Sequence, residues 1–326
     1  MGGVFVSENI SFILSVFLAL GAFIGLLLCP AASAGGARTG LLLCSGVIIP
    51  SLFPFVVLAN LFLEMGLPNR VGTLFAPVSK KLGISGAGGI AFFLGLVSGY
   101  PLGAITVSEM YSKGALKKQE AEWLLGFCDN SGPAFIISVA GSAVFNNVGI
   151  GFFLYGVHIL AAILTGIILK SKERSYSTAY LPLSSVDFAG AFTNSVKRAA
   201  GTMVTVCGFV VFFSVLVGLL DTNGAFSSLA GFLSSHFGTE LHFSRSLLTG
   251  ILELCTGTSS MLGLSVCARN LALCSFLLGW GGISVHAQAS AVIREGGLSP
   301  VRHTLGKLLH GVLSALITLI MYPVFF

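Results

Sequence analysis

The chain has 326 residues, of which 55% are hydrophobic and only 9% charged, with a formal net charge of +5. Soluble domains carry about 25% charged residues, so a water-soluble globular domain is excluded and a multi-pass membrane protein is expected. The 17 Lys and Arg sit in short loops between apolar runs, which assigns the positive balance to membrane topology and not to nucleic-acid binding.

Apolar segments occur at 10–28, 41–64, 84–112, 119–145, 148–170, 199–220, 241–265, 268–293 and 304–326, each near or above the ~20 helical residues that cross a bilayer. The first is followed by Pro30-Ala31-Ala32-Ser33-Ala34, which resembles a signal-peptidase site. No Lys or Arg precedes it, and its apolar run exceeds the ~7–15 residues of a signal core, so a retained helix is expected. After the 41–64 helix comes an amphipathic stripe, Val71, Leu74, Phe75, Val78 and Leu82, with the spacing of a helix lying in the membrane interface. The 84–112 segment is then broken by Ser98-Gly99-Tyr100-Pro101-Leu102-Gly103, because proline removes a backbone donor and glycine is a poor helix former. The 119–145 segment is interrupted from Cys128 to Pro133.

The pattern then recurs. Past the 199–220 helix, Phe226, Leu229, Ala230, Leu233 and Phe237 repeat the first stripe, each 155 positions on. The segment 241–265 is interrupted from Glu253 to Ser260, and 268–293 from Gly281 to Gln288. If all nine segments cross, the loops carry seven Lys and Arg on one side and ten on the other. If 84–112 and 241–265 instead enter and leave on one face, fourteen lie on one side, Lys307 among them, and only Arg38, Arg245 and Arg269 on the other. That asymmetry is the positive-inside signal and puts the N-terminus in the cytoplasm and the C-terminus outside. Hairpin arms of about 13 residues reach ~20 Å each, enough to meet near the midplane. The expected fold is an all-α membrane protein, a polytopic helical bundle with two inverted repeats. Each repeat has an interfacial helix, a re-entrant hairpin and a broken transmembrane helix. The divisions are 1–40 (N-terminal helix and loop), 41–198 (first repeat and cytoplasmic linker) and 199–326 (second repeat). Inverted repeats with discontinuous helices are the architecture of secondary transporters.

Irregular backbone at membrane depth is tolerated only where protein or a watery cavity satisfies it. If the four interruptions meet, they form a polar chamber. The second holds Asp129, Asn130 and Ser131; an intramembrane carboxylate costs ~2.5–3.5 kcal/mol and faces a partner or cavity. Asp129 is therefore expected either at a ligand or ion, or as the cap of a half-helix. Glu253, with Thr256, Thr258 and Ser259 beside it, has the same standing. Gln288 can donate and accept, which suits a nucleobase edge or amide, and His286 reads as a pH-sensitive ligand or as a packed histidine bonded across helices. Glu109 and Lys113, four apart, read as a helical ion pair. His158 reads as a core histidine with a backbone partner, Asn146 and Asn147 as a turn, and Glu64 as a helix end. The seven cysteines show no CxxC pair or Cys/His metal spacing, so they read as buried hydrophobes and no metal is expected. HExxH, Walker and GxGxxG motifs are absent, and GTSS (257–260) lacks the rest of a GxSG signature. An enzyme is not expected, and no catalytic residue is assigned.

At GLVSGYPLGA, SEMYSKGALKKQEAEWLLGFCDNSGPAFII and GGISVHAQ, the chain resembles the YlbJ family of sporulation integral membrane proteins, over roughly residues 40–326. That family carries the nucleoside-recognition, or Gate, domain shared with spore maturation proteins and concentrative nucleoside transporters. The resemblance implies a transporter-like core in the cell membrane of an endospore-forming bacterium. By similarity to the transporters, Ser98, Tyr100, Asp129, Asn130, Ser131, Glu253, Thr256, Thr258, Ser284, His286 and Gln288 would line substrate and ion sites. The function expected is secondary transport of a small polar solute, with nucleoside-like compounds as a candidate class, coupled to Na+ or H+, with a role in sporulation. The alternative is a non-transporting scaffold or ligand sensor for spore assembly. Besides the lipid bilayer and the solute, a homo-oligomer or other membrane proteins stand open as partners, and no cofactor is expected beyond the coupling ion.

Overall fold

The computed structural model of this chain describes residues 16–17, 19–65, 83–170 and 187–326. Every regular element among the described residues is helical, as hydrocarbon demands when no water is present to satisfy backbone N–H and C=O groups. Five helical stretches are long and apolar enough to cross a membrane: Pro30–Phe62, Val148–Ile168, Phe188–Thr222, Ala268–Glu295 and Val301–Phe325. Phe152, Ile168, Val204, Leu316 and Ile320 are exposed on them, an apolar surface suited to lipid. The chain is an all-helical membrane protein.

The described chain begins with α1 (Ala19–Leu28) and α2 (Pro30–Leu43), which runs through a wide i→i+5 turn at Cys44–Ile48 into α3 (Ile49–Glu64). Residues 30–40, expected as a loop, are instead helical. Pro30 occupies the first turn, where it has no hydrogen bond to lose. Gly36 and Gly40 then lie against the backbone of α9 (Phe188–Thr222) at Val211, Ser214 and Val215, a closeness that only small residues permit. The stripe from Val71 to Leu82 lies outside the described residues. Its counterpart forms α10 (Ala225–Phe237), with Phe226 and Ala230 buried and Leu229 and Phe237 exposed.

Both expected hairpins are present. α4 (Gly86–Ser98) turns at Gly99-Tyr100-Pro101 and folds back as α5 (Leu102–Ser112), while α11 (Leu241–Leu252) turns at Glu253 into the six-residue α12 (Leu254–Ser259). Each broken helix is also present as two pieces. α6 (Lys118–Cys128) is separated by an unwound stretch from α7 (Ala134–Val144), which is wound in wide i→i+5 turns. α13 (Ala268–Trp280) is separated by Gly281 from α14 (Gly282–Glu295). A long helix closes each half, α8 (Val148–Ile168) and α15 (Val301–Phe325).

Two interruptions are narrower than the sequence suggests. Residues 254–259 are helical because the Glu253 carboxylate caps α12 at once, accepting from the N–H groups of Cys255 and Thr256. Residues 283–288 are helical because two left-handed glycines, Gly281 at φ 84° and Gly282 at φ 81°, suffice to redirect the chain. α15 packs on α6, α8 and α13. Its Gly306 meets the backbone of Gly126, and its Gly311 that of Gly279, so Lys307 and His310 on the same face are fully buried, while Leu308 stays exposed.

Candidate functional site

The four interruptions meet. A Cβ placed on Gly99 would come within 3.0 Å of the Gly132 nitrogen, so the first hairpin tip sits on the break between α6 and α7. A Cβ on Gly282 would lie 2.9 Å from the Leu254 nitrogen, and Trp280 Nε1 donates to the Ile251 carbonyl at 3.1 Å. The second tip therefore sits on the break between α13 and α14. Tyr100 joins the halves: its hydroxyl donates to the Leu278 carbonyl at 3.0 Å, and its ring lies against Gly281.

Around this junction the first half builds a buried charged cluster. Asp129 ends α6, and its Oδ1 accepts from the Ala104 N–H at 3.2 Å, in the first turn of α5. A carboxylate is favourable there because helix N-termini present unpaired N–H groups. Asp129 Oδ2 accepts from His303 Nε2–H at 2.9 Å, and both side chains are fully buried. The Asp129 carbonyl accepts from Lys307 Nζ at 2.7 Å. Lys307 Nζ also donates to His310 Nδ1 at 3.2 Å and lies 4.8 Å from the centre of the Tyr100 ring. His310 Nε2–H donates to the His158 carbonyl at 3.0 Å, and the Ser131 N–H donates to His158 Nε2 at 3.2 Å. Asp129 thus acts as a helix cap, for α5 and not for either half of its own broken helix.

The second half uses its carboxylate in the same way. Glu253 Oε1 accepts from the Cys255 N–H at 2.9 Å and Oε2 from the Thr256 N–H at 2.5 Å, with the Ser284 hydroxyl 3.5 Å from Oε1. Thr256 Oγ1 is 3.2 Å from Ser214 Oγ on α9. Each carboxylate is spent on its own hairpin, and among the described residues no hydrogen bond or ion pair links the two.

Other polar groups at the junction are left open. Asn130 donates to the Phe127 carbonyl at 2.9 Å, but its Oδ1 is buried without a partner, as is Thr258 Oγ1. Both ring nitrogens of His286 are also buried and unpartnered. Its ring packs 4.2 Å from Trp280 and 5.3 Å, edge to face, from His303, so it is packed across helices but not hydrogen-bonded across them. Leaving a buried polar group unsatisfied costs ~1–3 kcal/mol, and such groups call for an explanation such as a ligand. Ser98, at the end of α4, and Gln288, on α14, are also buried.

Residues 46–169 match the Gate family, described as nucleoside recognition. This Gate region contains the first hairpin, the first broken helix and His158. The chain is 28% identical over 319 residues to the sporulation integral membrane protein YlbJ of Bacillus subtilis, covering 90% of this chain and 78% of that protein. Its fold is similar to that of a CNTnw variant solved in its intermediate 3 state, with a TM-score of 0.50 and 14% identity, over 93% of this chain and 88% of the other.

Half of the charged cluster lies outside the Gate region. His303, Lys307 and His310 come from α15, and none is among the residues singled out from sequence. Lys307, counted there with the cytoplasmic charges, is instead fully buried. The signal that reveals it is positional. His303, Lys307, His310, Ser314 and Thr318 fall at i, i+4, i+7, i+11 and i+15 of an otherwise apolar helix, and all five are buried. A polar stripe of that period faces other helices and not lipid.

Proposed function

We propose that this chain is a secondary transporter of a small polar solute of nucleoside-like chemistry, driven by a Na+ or H+ gradient, in the cell membrane of a spore-forming bacterium. The N-terminus is cytoplasmic and the C-terminus extracytoplasmic. The observation that carries this reading is the meeting of two hairpin tips and two broken helices at one junction, where Asn130 Oδ1, Thr258 Oγ1 and the His286 nitrogens are buried without partners. Broken helices gathered at mid-depth form the binding site in transporters built from repeats. Transport follows when the two repeats rock about that junction and open it to each side in turn. The match to a nucleoside recognition family, the fold likeness and the sporulation-named relative support the solute class and the setting.

The test is thermal melting of the purified, detergent-solubilised protein against nucleosides, nucleobases and other small metabolites, with Thr258→Val as the paired variant. A ligand at 100 times its Kd adds ~2.7 kcal/mol to the folded state. Thr258→Val removes the open hydroxyl at constant shape. It should melt at or above the wild-type temperature without solute and lose most of the solute-dependent rise. No rise with any solute speaks against transport. One specific observation favours a scaffold or ligand sensor in that case: both intramembrane carboxylates are already occupied by protein donors.

A further inference from the structure

The broken end of α6 is a place where a cation belongs. Helices end with carbonyls that have no intrahelical partner and with the negative pole of the helix dipole. In broken-helix transporters such ends and unwound carbonyls coordinate the driving ion. Here α6 stops at Cys128, the chain unwinds through 129–132, and just past the helix end comes the buried carbonyl of Asp129. It is taken by Lys307 Nζ at 2.7 Å.

The ammonium is fully coordinated. Its three N–H bonds have three acceptors: the Asp129 carbonyl, His310 Nδ1 at 3.2 Å and the face of Tyr100 at 4.8 Å, the last within the range of a cation–π contact. His310 is turned to present a lone pair, because its other nitrogen donates to the His158 carbonyl, which can only accept. The balancing negative charge is the Asp129 carboxylate. Its two oxygens already face the N–H groups of Ala104 and His303. Each of the three Asp129 oxygens thus already accepts one hydrogen, and the ammonium stands where an added cation would have to approach the carbonyl.

We propose that Lys307 is a built-in cation that fills the ion seat at the broken end of α6. The central site then assembles without Na+, and on the transporter reading above, from which this inference takes its setting, the driving ion is H+. The titratable groups around the seat are the Asp129 carboxylate, Lys307 itself, His310 with both nitrogens engaged, and three imidazoles with an unpartnered nitrogen, His303, His286 packed on it, and His158.

The experiment compares melting of the purified wild-type protein and Lys307→Ala in NaCl, KCl, N-methylglucamine chloride and propylammonium chloride at equal ionic strength. The wild type should melt at the same temperature in Na+, K+ and N-methylglucamine. Lys307→Ala should melt lower and regain several degrees, saturably, with propylammonium, which restores the missing charge, but not with the bulky N-methylglucamine. A saturable stabilisation of the wild type by Na+ over the other ions overturns the proposal. So does a folded Lys307→Ala that responds to no small cation. If Lys307→Ala yields no folded protein, the wild-type comparison decides alone, Na+ dependence against the proposal and indifference for it. Neither arm uses a solute. Na+ dependence would therefore remove the built-in cation while leaving the transporter reading intact, and a solute screen without hits would do the reverse.

Discussion

Asp129→Asn changes one oxygen to nitrogen and should nevertheless be among the most damaging substitutions in the chain. The carboxylate accepts two N–H groups at once, Ala104 on Oδ1 and His303 on Oδ2. An amide can accept from only one of them, and meets the other only if His303 moves its proton to Nδ1, which is buried without a partner. Hydrogen bonds to a charged group contribute ~1.5–3 kcal/mol. Loss of the charge also leaves Lys307, 2.7 Å from the Asp129 carbonyl and fully buried, without its counter-charge. These contributions overlap, so a total of about 3–5 kcal/mol is expected, a melting shift on the order of 10 °C. The assay is detergent melting monitored by size exclusion, with His303→Gln alongside. That variant keeps a donor toward Asp129 and should lose less than half as much. If Asp129→Asn melts like the wild type, the carboxylate is not an internal anchor and the geometry argued for the cluster is wrong.

Gly95→Ala and Gly103→Ala should each lose ~1–3 kcal/mol or more by overpacking, because a Cβ at either position would collide with the Cys128 carbonyl oxygen; Gly156→Ala, with nothing within 4 Å, is the control, and unchanged melting of Gly95→Ala would argue against the hairpin's seating on α6. Glu253→Ala removes the cap of α12 and should cost ~0.5–2 kcal/mol, read as faster amide hydrogen exchange confined to 254–260. The Ser275 and Thr318 hydroxyls, 2.6 Å apart between α13 and α15, should show a coupling of only ~0.6 kcal/mol in a double-mutant cycle of Ser275→Ala and Thr318→Val, and a coupling of several kcal/mol would contradict that estimate.

Much of the architecture is legible because proline, glycine and length speak locally. Pro101 and Gly99 break 84–112 where the first hairpin turns, and the run of Asp129, Asn130, Ser131 and Gly132 marks the unwound end of α6. Asn147 caps α8 and Asn146 takes φ 50°, as a turn requires; Glu109 pairs with Lys113 at 3.3 Å. His158, set aside as a core histidine with a backbone partner, has that partner in the Ser131 N–H. What sequence misjudges is whatever depends on a distant element. The helicity of 30–40 is fixed by packing on α9, about 180 residues away. Lys307 looks like a loop charge because it lies near the start of an apolar run; its place in the stripe with His303 and His310 is the sequence signal against that, and the packing of Gly306 on Gly126 shows that it points inward.

The same distinction separates two roles that the sequence reading merged. Ionisable residues within an apolar run invite a functional reading by default, and Asp129 and Glu253 were the natural choices. In the folded chain Glu253 is consumed by the break it sits in and Asp129 by the hairpin helix α5 and His303, since an interrupted helix exposes N–H groups that a buried carboxylate satisfies best. The groups left open include an amide oxygen, a hydroxyl and imidazole nitrogens, on Asn130, Thr258 and His286, with one nitrogen each on His303 and His158 in the cluster beside them. On the transporter reading, charge therefore holds the broken backbone and neutral donors and acceptors meet the solute. A solute matched to such a set presents hydrogen-bonding edges and an apolar body without formal charge. A nucleoside has that character, whereas a nucleotide would bring a phosphate to a cluster whose one ammonium is already spent on a carbonyl, an imidazole and a tyrosine ring.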